Sequence, residues 1–143
     1  MKKILFIVAF SVSIFANDVV IKESNHSVTK TIKNIKDIVT KKGLRVFTVI
    51  NHQAGAKKAG LKMREAKVII FGNPKMGTKL MNNNIVSGLD LPMKILVYKD
   101  VDKKVKLAYR DGAWLKKEHD LKLDKLTTKV DNVLNKITNK AIK

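Results

Sequence analysis

Apolar positions along the chain change their spacing repeatedly, and each change marks an element. The first run has no period: Ile4 to Phe15 is apolar apart from Ser11 and Ser13. Met1, Lys2 and Lys3 precede it with positive charge, and Ala16 follows with a small side chain before Asn17 and Asp18. That order is the order of a secretory signal, so residues 1–16 are expected to be a cleaved signal peptide and the mature protein to be periplasmic or secreted. The twelve-residue run is shorter than the roughly 18–20 residues that cross a bilayer, and no second long apolar run follows. No transmembrane segment is therefore expected after cleavage.

From Asp18 to Glu23 the β-branched residues Val19, Val20 and Ile21 predict a strand. Ser27 can cap a helix whose apolar residues Val28, Ile32, Ile35 and Val39 recur three and four apart, with Gly43 suited to its end. Strands are predicted at 44–50 and 67–72, with a short Ala-rich helix at 51–60 between them. Asn73 and Pro74 then provide an N-cap and a first helical residue, for a helix reaching about Met81 and dissolving in Asn82, Asn83 and Asn84. Ser87 to Asp90 reads as a loop. Pro92 leads into a strand through Tyr98, and Asp100 to Lys103 turns the chain into a returning strand, Val105 to Tyr109. A short helix is placed around Trp114 to His119.

The tail carries Leu123, Leu126, Val130, Val133, Ile137 and Ala141 at helical spacing. It reads as a separate amphipathic helix that packs on the domain or pairs with a second copy. The fold class is thus α+β: a small, mainly antiparallel sheet covered by helices. The expected division is a signal peptide at 1–16, a domain at 17–121 and the added helix at 122–143.

Composition narrows the chemistry. There are 30 basic and 12 acidic residues, a formal charge of +18, or +16 without Lys2 and Lys3. Such a charge favours anionic partners. Only three of the cations are arginines, Arg45, Arg64 and Arg110, and aromatics are sparse. Nucleic-acid binding, which favours arginine forks and stacking platforms, is not expected. The absence of cysteine removes disulfides, thiol catalysis and thiolate metal sites. His26, His52 and His119 share no ligand spacing, and the methionines fall at apolar positions, so neither a metal nor another cofactor is expected. No nucleophile motif or Walker loop is present.

The middle of the chain contains Asn51-His52-Gln53-Ala54-Gly55-Ala56-Lys57-Lys58-Ala59-Gly60-Leu61. Phe71-Gly72-Asn73-Pro74-Lys75-Met76-Gly77-Thr78 follows, and then Gly88-Leu89-Asp90-Leu91-Pro92 and Leu96-Val97-Tyr98. In this order and spacing, over roughly Ile21 to Leu121, the sequence resembles the bacterial domain-of-unknown-function 302 family. The resemblance implies a compact α+β domain with a small antiparallel sheet and no agreed activity. This chain departs from the family pattern at Asn51, where Asp often precedes the His, and at Arg64 to Ala66, where Pro is frequent. The family also often has a His after its short helix, the place His119 holds here.

Candidate site residues follow. Asn73 opens a helix directly after a strand, where exposed N–H groups and the helix dipole favour an anion, with Lys75 adding charge. His52 can serve as ligand donor or general base. Asp90, before Pro92, can orient His52, bind a cation or cap a turn. With Lys57 these residues predict a non-enzymatic envelope module for a small anionic or polar ligand. Two other classes stay open: a structural or interaction protein, homodimeric through the tail, and an enzyme with His52 as acid–base.

Overall fold

The computed structural model describes residues 18–143. The signal-peptide segment, 1–16, lies outside them. Five strands form one sheet: β1 (Val20–Ser24), β2 (Arg45–Asn51), β3 (Ala66–Gly72), β4 (Met93–Lys99) and β5 (Val105–Tyr109). Their spatial order is β1-β5-β4-β3-β2, and every neighbouring pair is antiparallel. The helices are α1 (Val28–Lys41), α2 (His52–Lys58), α3 (Pro74–Asn83), α4 (Gly112–Glu118) and α5 (Asp124–Ala141), with a 3₁₀ turn at Ile85–Leu89. The class is α+β.

α1 forms because Ser27 accepts from Lys30 N–H at its start and its apolar stripe has somewhere to go. Val28, Ile32, Ile35 and Val39 are buried against Ile69 and Phe71 of β3, Ile95 and Val97 of β4, and Leu107 and Tyr109 of β5. Alternation along the strands sends these residues to one face, which α1 and α5 cover.

α5 packs on the domain, one of the two places its apolar spacing left open. Val130, Leu134, Ile137 and Ala141 belong to the same core as α1 and the sheet, each at most 5 % exposed. The seam contains Leu134 in place of the expected Val133, which is only partly buried. Leu123 and Leu126 pack instead on a small second cluster of Leu80, Leu115 and Leu121. Truncating a buried leucine such as Leu134 to Ala costs about 2–5 kcal/mol, so α5 contributes to the stability of the core it joins. Polar contacts complete the docking. The Lys22 ammonium on β1 donates to Asn135 Oδ1, Thr138 Oγ1 and Asn139 Oδ1 at 2.7–2.9 Å, and Asn34 Nδ2 donates to Ala141 O at 3.0 Å. With its seam buried in its own core, α5 has no apolar stripe left for a second copy.

α3 runs two residues beyond Met81. The asparagines do not form a local turn, because their side chains bond elsewhere: Asn83 Oδ1 accepts from Lys122 N–H, and Asn84 Nδ2 donates to His119 O, both at 2.9 Å. α4 begins two residues early, at Gly112. Asp111 caps it by accepting from Trp114 N–H at 2.8 Å, and Asp131 of α5 accepts from the N–H groups of Gly112 and Ala113.

Candidate functional site

β3 ends at Gly72 and α3 begins at Pro74, with Asn73 between them in extended backbone and its Oδ1 accepting from Met76 N–H at 3.3 Å. Behind this corner lies a cavity of about 650 Å³. Its walls are mostly apolar: Phe47 of β2, Phe71 of β3, Met76 and Leu80 of α3, Met93 of β4 and Val133 of α5. Lys42, Arg45 and Lys129 supply its charges, and no acidic side chain lines it. The Arg45 guanidinium stands 4.9 Å over the Phe47 ring, a stacking that holds a cation beside an apolar wall. Gly77 lines the same space, and a Cβ built there meets nothing within 4 Å.

A second hollow of about 370 Å³ lies on the sheet face that α1 and α5 leave uncovered. Val68, Leu96 and Ala108 form its floor, and His52, Asp90, Lys94, Arg110 and Trp114 stand around it. Asp90 is the polar centre here. Its Oδ2 is 2.8 Å from His119 Nε2, and its Oδ1 is 3.7 Å from the Arg110 guanidinium. Arg110 stacks on Trp114 at 4.3 Å, and Trp114 meets His119 edge to face at 6.3 Å. Asp90 therefore orients His119, not His52. His119 is 7 % exposed, and a buried ring needs such a partner.

The five sequence candidates do not converge. Asn73 lines the large cavity, and His52 and Asp90 line the sheet-face hollow. Lys57 faces a third, shallow depression with Asn51, Gln53 and Leu61. Lys75 is exposed on the first turn of α3 and lines neither the cavity nor the hollow. His52 opens α2 in the open, and among the described residues no side chain hydrogen-bonds its ring. Asn51 uses its carboxamide to cap α2, accepting from Ala54 N–H at 3.0 Å. Sequence reasoning missed Arg45, Phe47, Lys129 and Met76 as one wall, since they come from three elements far apart in the chain. The rarity of arginine was the one signal that singled out Arg45. Among the described residues, no three His, Asp or Glu side chains stand close enough to hold a metal ion.

An antiparallel sheet backed by two helices, with an apolar, cation-rimmed cavity at one end, defines a small α+β domain with a pocket. The chain belongs to the family described as Domain of unknown function DUF302, whose model matches residues 20–137. That match runs through most of α5, beyond the span legible in the motifs. The crystal structure of an uncharacterized conserved DUF302 protein from Bacillus stearothermophilus has the same fold, with a TM-score of 0.79 over 90 % of this chain and 100 % of that one at 16 % identity. Proteins named fluoride-specific ion channels, FluC 1 of Brucella suis and FluC 2 of Brucella melitensis, are 44 % identical over 78 % of this chain. This chain spans only 44 % and 41 % of their lengths. Among its described residues no helix is long and apolar enough to cross a membrane.

Proposed function

We propose that the protein is a non-enzymatic binding module of the cell envelope whose ligand is a small amphiphile with an anionic head. The observation that carries this is the cavity behind Asn73. An apolar lining of this volume suits an alkyl or aromatic body, and specificity in such pockets comes from a few placed polar groups. Here those groups are Lys42, Arg45 and Lys129, with no carboxylate to oppose them, and the ten-residue helix α3 starts at the same corner. A head group there exchanges water for charge-assisted hydrogen bonds while its tail leaves water.

Exported location rests on the order of charges, apolar run and small residue in 1–16. In the Brucella relatives the matching domain is part of longer proteins named as ion channels. Fluoride transport itself is not carried over, because more than half of those chains has no counterpart here. The acid–base alternative is weakened by His52, whose neighbours Asn51 and Asp90 are both engaged elsewhere.

Calorimetric titration of the mature protein with decanoate, against decyltrimethylammonium as a cationic control, tests the reading. Decanoate is expected to bind and the cation not to. Arg45→Ala is expected to weaken decanoate about tenfold or more, as loss of one charged hydrogen-bond partner does. Equal binding of both amphiphiles would remove the anionic head from the proposal, and binding of neither would remove the cavity.

A further inference from the structure

The 3₁₀ turn at Ile85–Leu89 presents large apolar side chains to water: Ile85 is 74 % exposed, Val86 53 % and Leu89 79 %. Its middle residue, Ser87, faces inward and is buried. The turn is not free to fold its apolar residues inward, because both its ends are fixed to His119. Asn84, at its start, donates from Nδ2 to His119 O at 2.9 Å, and Asp90, at its end, holds the His119 ring at 2.8 Å. Within the turn Val86 N–H donates to Asn84 Oδ1 at 3.0 Å, Ser87 N–H to Asn84 O at 3.1 Å, and the Asp90 and Leu91 N–H groups to Ser87 O at 3.1 Å. These backbone donors are satisfied without water, so the tip can enter an apolar medium without stranding them.

The surrounding charge identifies that medium. Lysines outnumber carboxylates on each flanking element: α3 carries Lys75 and Lys79 and no acid, β4 carries Lys94 and Lys99 and no acid, and the stretch 116–122 carries three lysines to Glu118 and Asp120. Lys94 Nζ lies 3.2 Å from Asp90 O, at the end of the turn. The Asp90 carboxylate, the turn's own acid, is spent on His119 and Arg110. A second copy would bring the same positive charge and be repelled. The exposed side chains of Ile85, Val86 and Leu89 carry no hydrogen-bonding group with which to select a protein groove. Shallow apolar insertion beside lysines is what an anionic bilayer surface takes.

We infer that this turn docks the protein on an anionic lipid bilayer, with Ile85, Val86 and Leu89 entering the interface and the flanking lysines meeting the head groups. The turn also borders the large cavity. Met81 Sδ lies against Gly88, 3.2 Å from where a Cβ would stand, and Met81 before the turn and Leu91 and Pro92 after it line the cavity. Docking therefore sets one cavity wall beside a source of amphiphiles. The docking stands on the turn and its charges; only this use of it rests on the amphiphile reading of the cavity.

Co-sedimentation of the mature protein with lipid vesicles tests this. Vesicles of equal phosphatidylglycerol and phosphatidylcholine are expected to carry the protein down, and phosphatidylcholine alone about tenfold less or weaker still, with added salt narrowing the difference. The double substitution Ile85→Ser with Leu89→Ser is expected to weaken binding to the anionic vesicles about tenfold or more. Both sites are mostly exposed, so folding, checked by circular dichroism, does not depend on them. No binding to anionic vesicles overturns the inference, and binding unchanged in the variant leaves the lysines alone at work and overturns the role of the turn. The chain has no cysteine, so Leu89→Cys and Val101→Cys variants each carry a single thiol for a polarity-sensitive dye. Val101 is a comparable apolar tip, 74 % exposed, between β4 and β5. A blue shift on anionic vesicles is expected for Leu89→Cys and not for Val101→Cys, and equal shifts overturn the inference. A dimer abolished by the double substitution would hand the turn to a second copy and overturn it as well. Decanoate titration separates the two readings: a protein that docks through the turn but binds no decanoate keeps the docking and loses the cavity as its purpose.

Discussion

Asp90 and His119 meet at 2.8 Å between Oδ2 and Nε2, joining the turn before the cis Leu91–Pro92 bond to the end of α4. The same junction is held by Asn83 and Asn84 through the backbone of Lys122 and His119. Asp90 therefore ties α3 and its following turn to α4, on which the small Leu80–Leu115–Leu121 cluster depends.

Asp90→Ala leaves the buried His119 ring N–H without its acceptor. A loss of about 1–3 kcal/mol in urea denaturation is expected, the cost of an unsatisfied buried donor. Arg110 is more than half exposed in its pair with Asp90, so Arg110→Ala is expected to cost less than about 1 kcal/mol. Equal losses for the two variants would refute this account of Asp90.

Gly112 is where α4 approaches α5 backbone to backbone. A Cβ built there would lie 2.1 Å from Thr127 O, and neither helix can yield without disturbing the caps from Asp111 and Asp131. Gly112→Ala is expected to destabilise by about 1–3 kcal/mol or more. A thermal midpoint equal to the parent's would show that α4 can shift.

Gly77 behaves oppositely. It lies inside α3 with open space at its Cβ, so Gly77→Ala is expected to stabilise the ligand-free protein by about 0.5–1 kcal/mol. Gly77→Leu fills part of the cavity it lines. Decanoate affinity is expected to drop while the fold is kept, and undiminished binding would place the ligand elsewhere.

The β4–β5 hairpin carries an acid-sensitive cluster. The Lys106 hydrogen bond, and then Val101 N–H, holds Asp100 below its usual 3.8, and Lys104 N–H does the same first for Asp102. Both folded values are depressed, so as pH falls below 3.8 the unfolded chain takes up protons first. The stabilisation is complete above that value and is lost as pH drops through the folded ones. Replacing both residues with Asn is expected to flatten the acid limb of the stability curve, and an unaltered limb would refute the assignment.

The motifs from Asn51 to Tyr98 placed the family, and helical and strand periods placed every strand and α-helix within a few residues, while the 3₁₀ turn at Ile85–Leu89 read as a loop. These features are local: Ser27, Asn51, Asn73 and Asp111 each cap a helix through the N–H three residues on. Where the sequence misled, distant contacts had taken over a local signal. The Asn82–Asn84 run looked like a turn, yet two of its side chains bond residues more than thirty positions away.

Strand alternation and helix spacing thus determined by themselves which residues are apolar on which side of each element, and so the α+β class. Tertiary structure alone decided what each side meets. It made the tail helix part of the core, because Leu134, Ile137 and Ala141 find the sheet and α1. It paired Asp90 with His119 instead of His52, and gathered Arg45, Phe47, Met76 and Lys129 around one cavity. Periodicity records the direction a side chain takes from its own backbone, whereas its partner is set by strand order and helix docking, which bring together residues the chain keeps far apart.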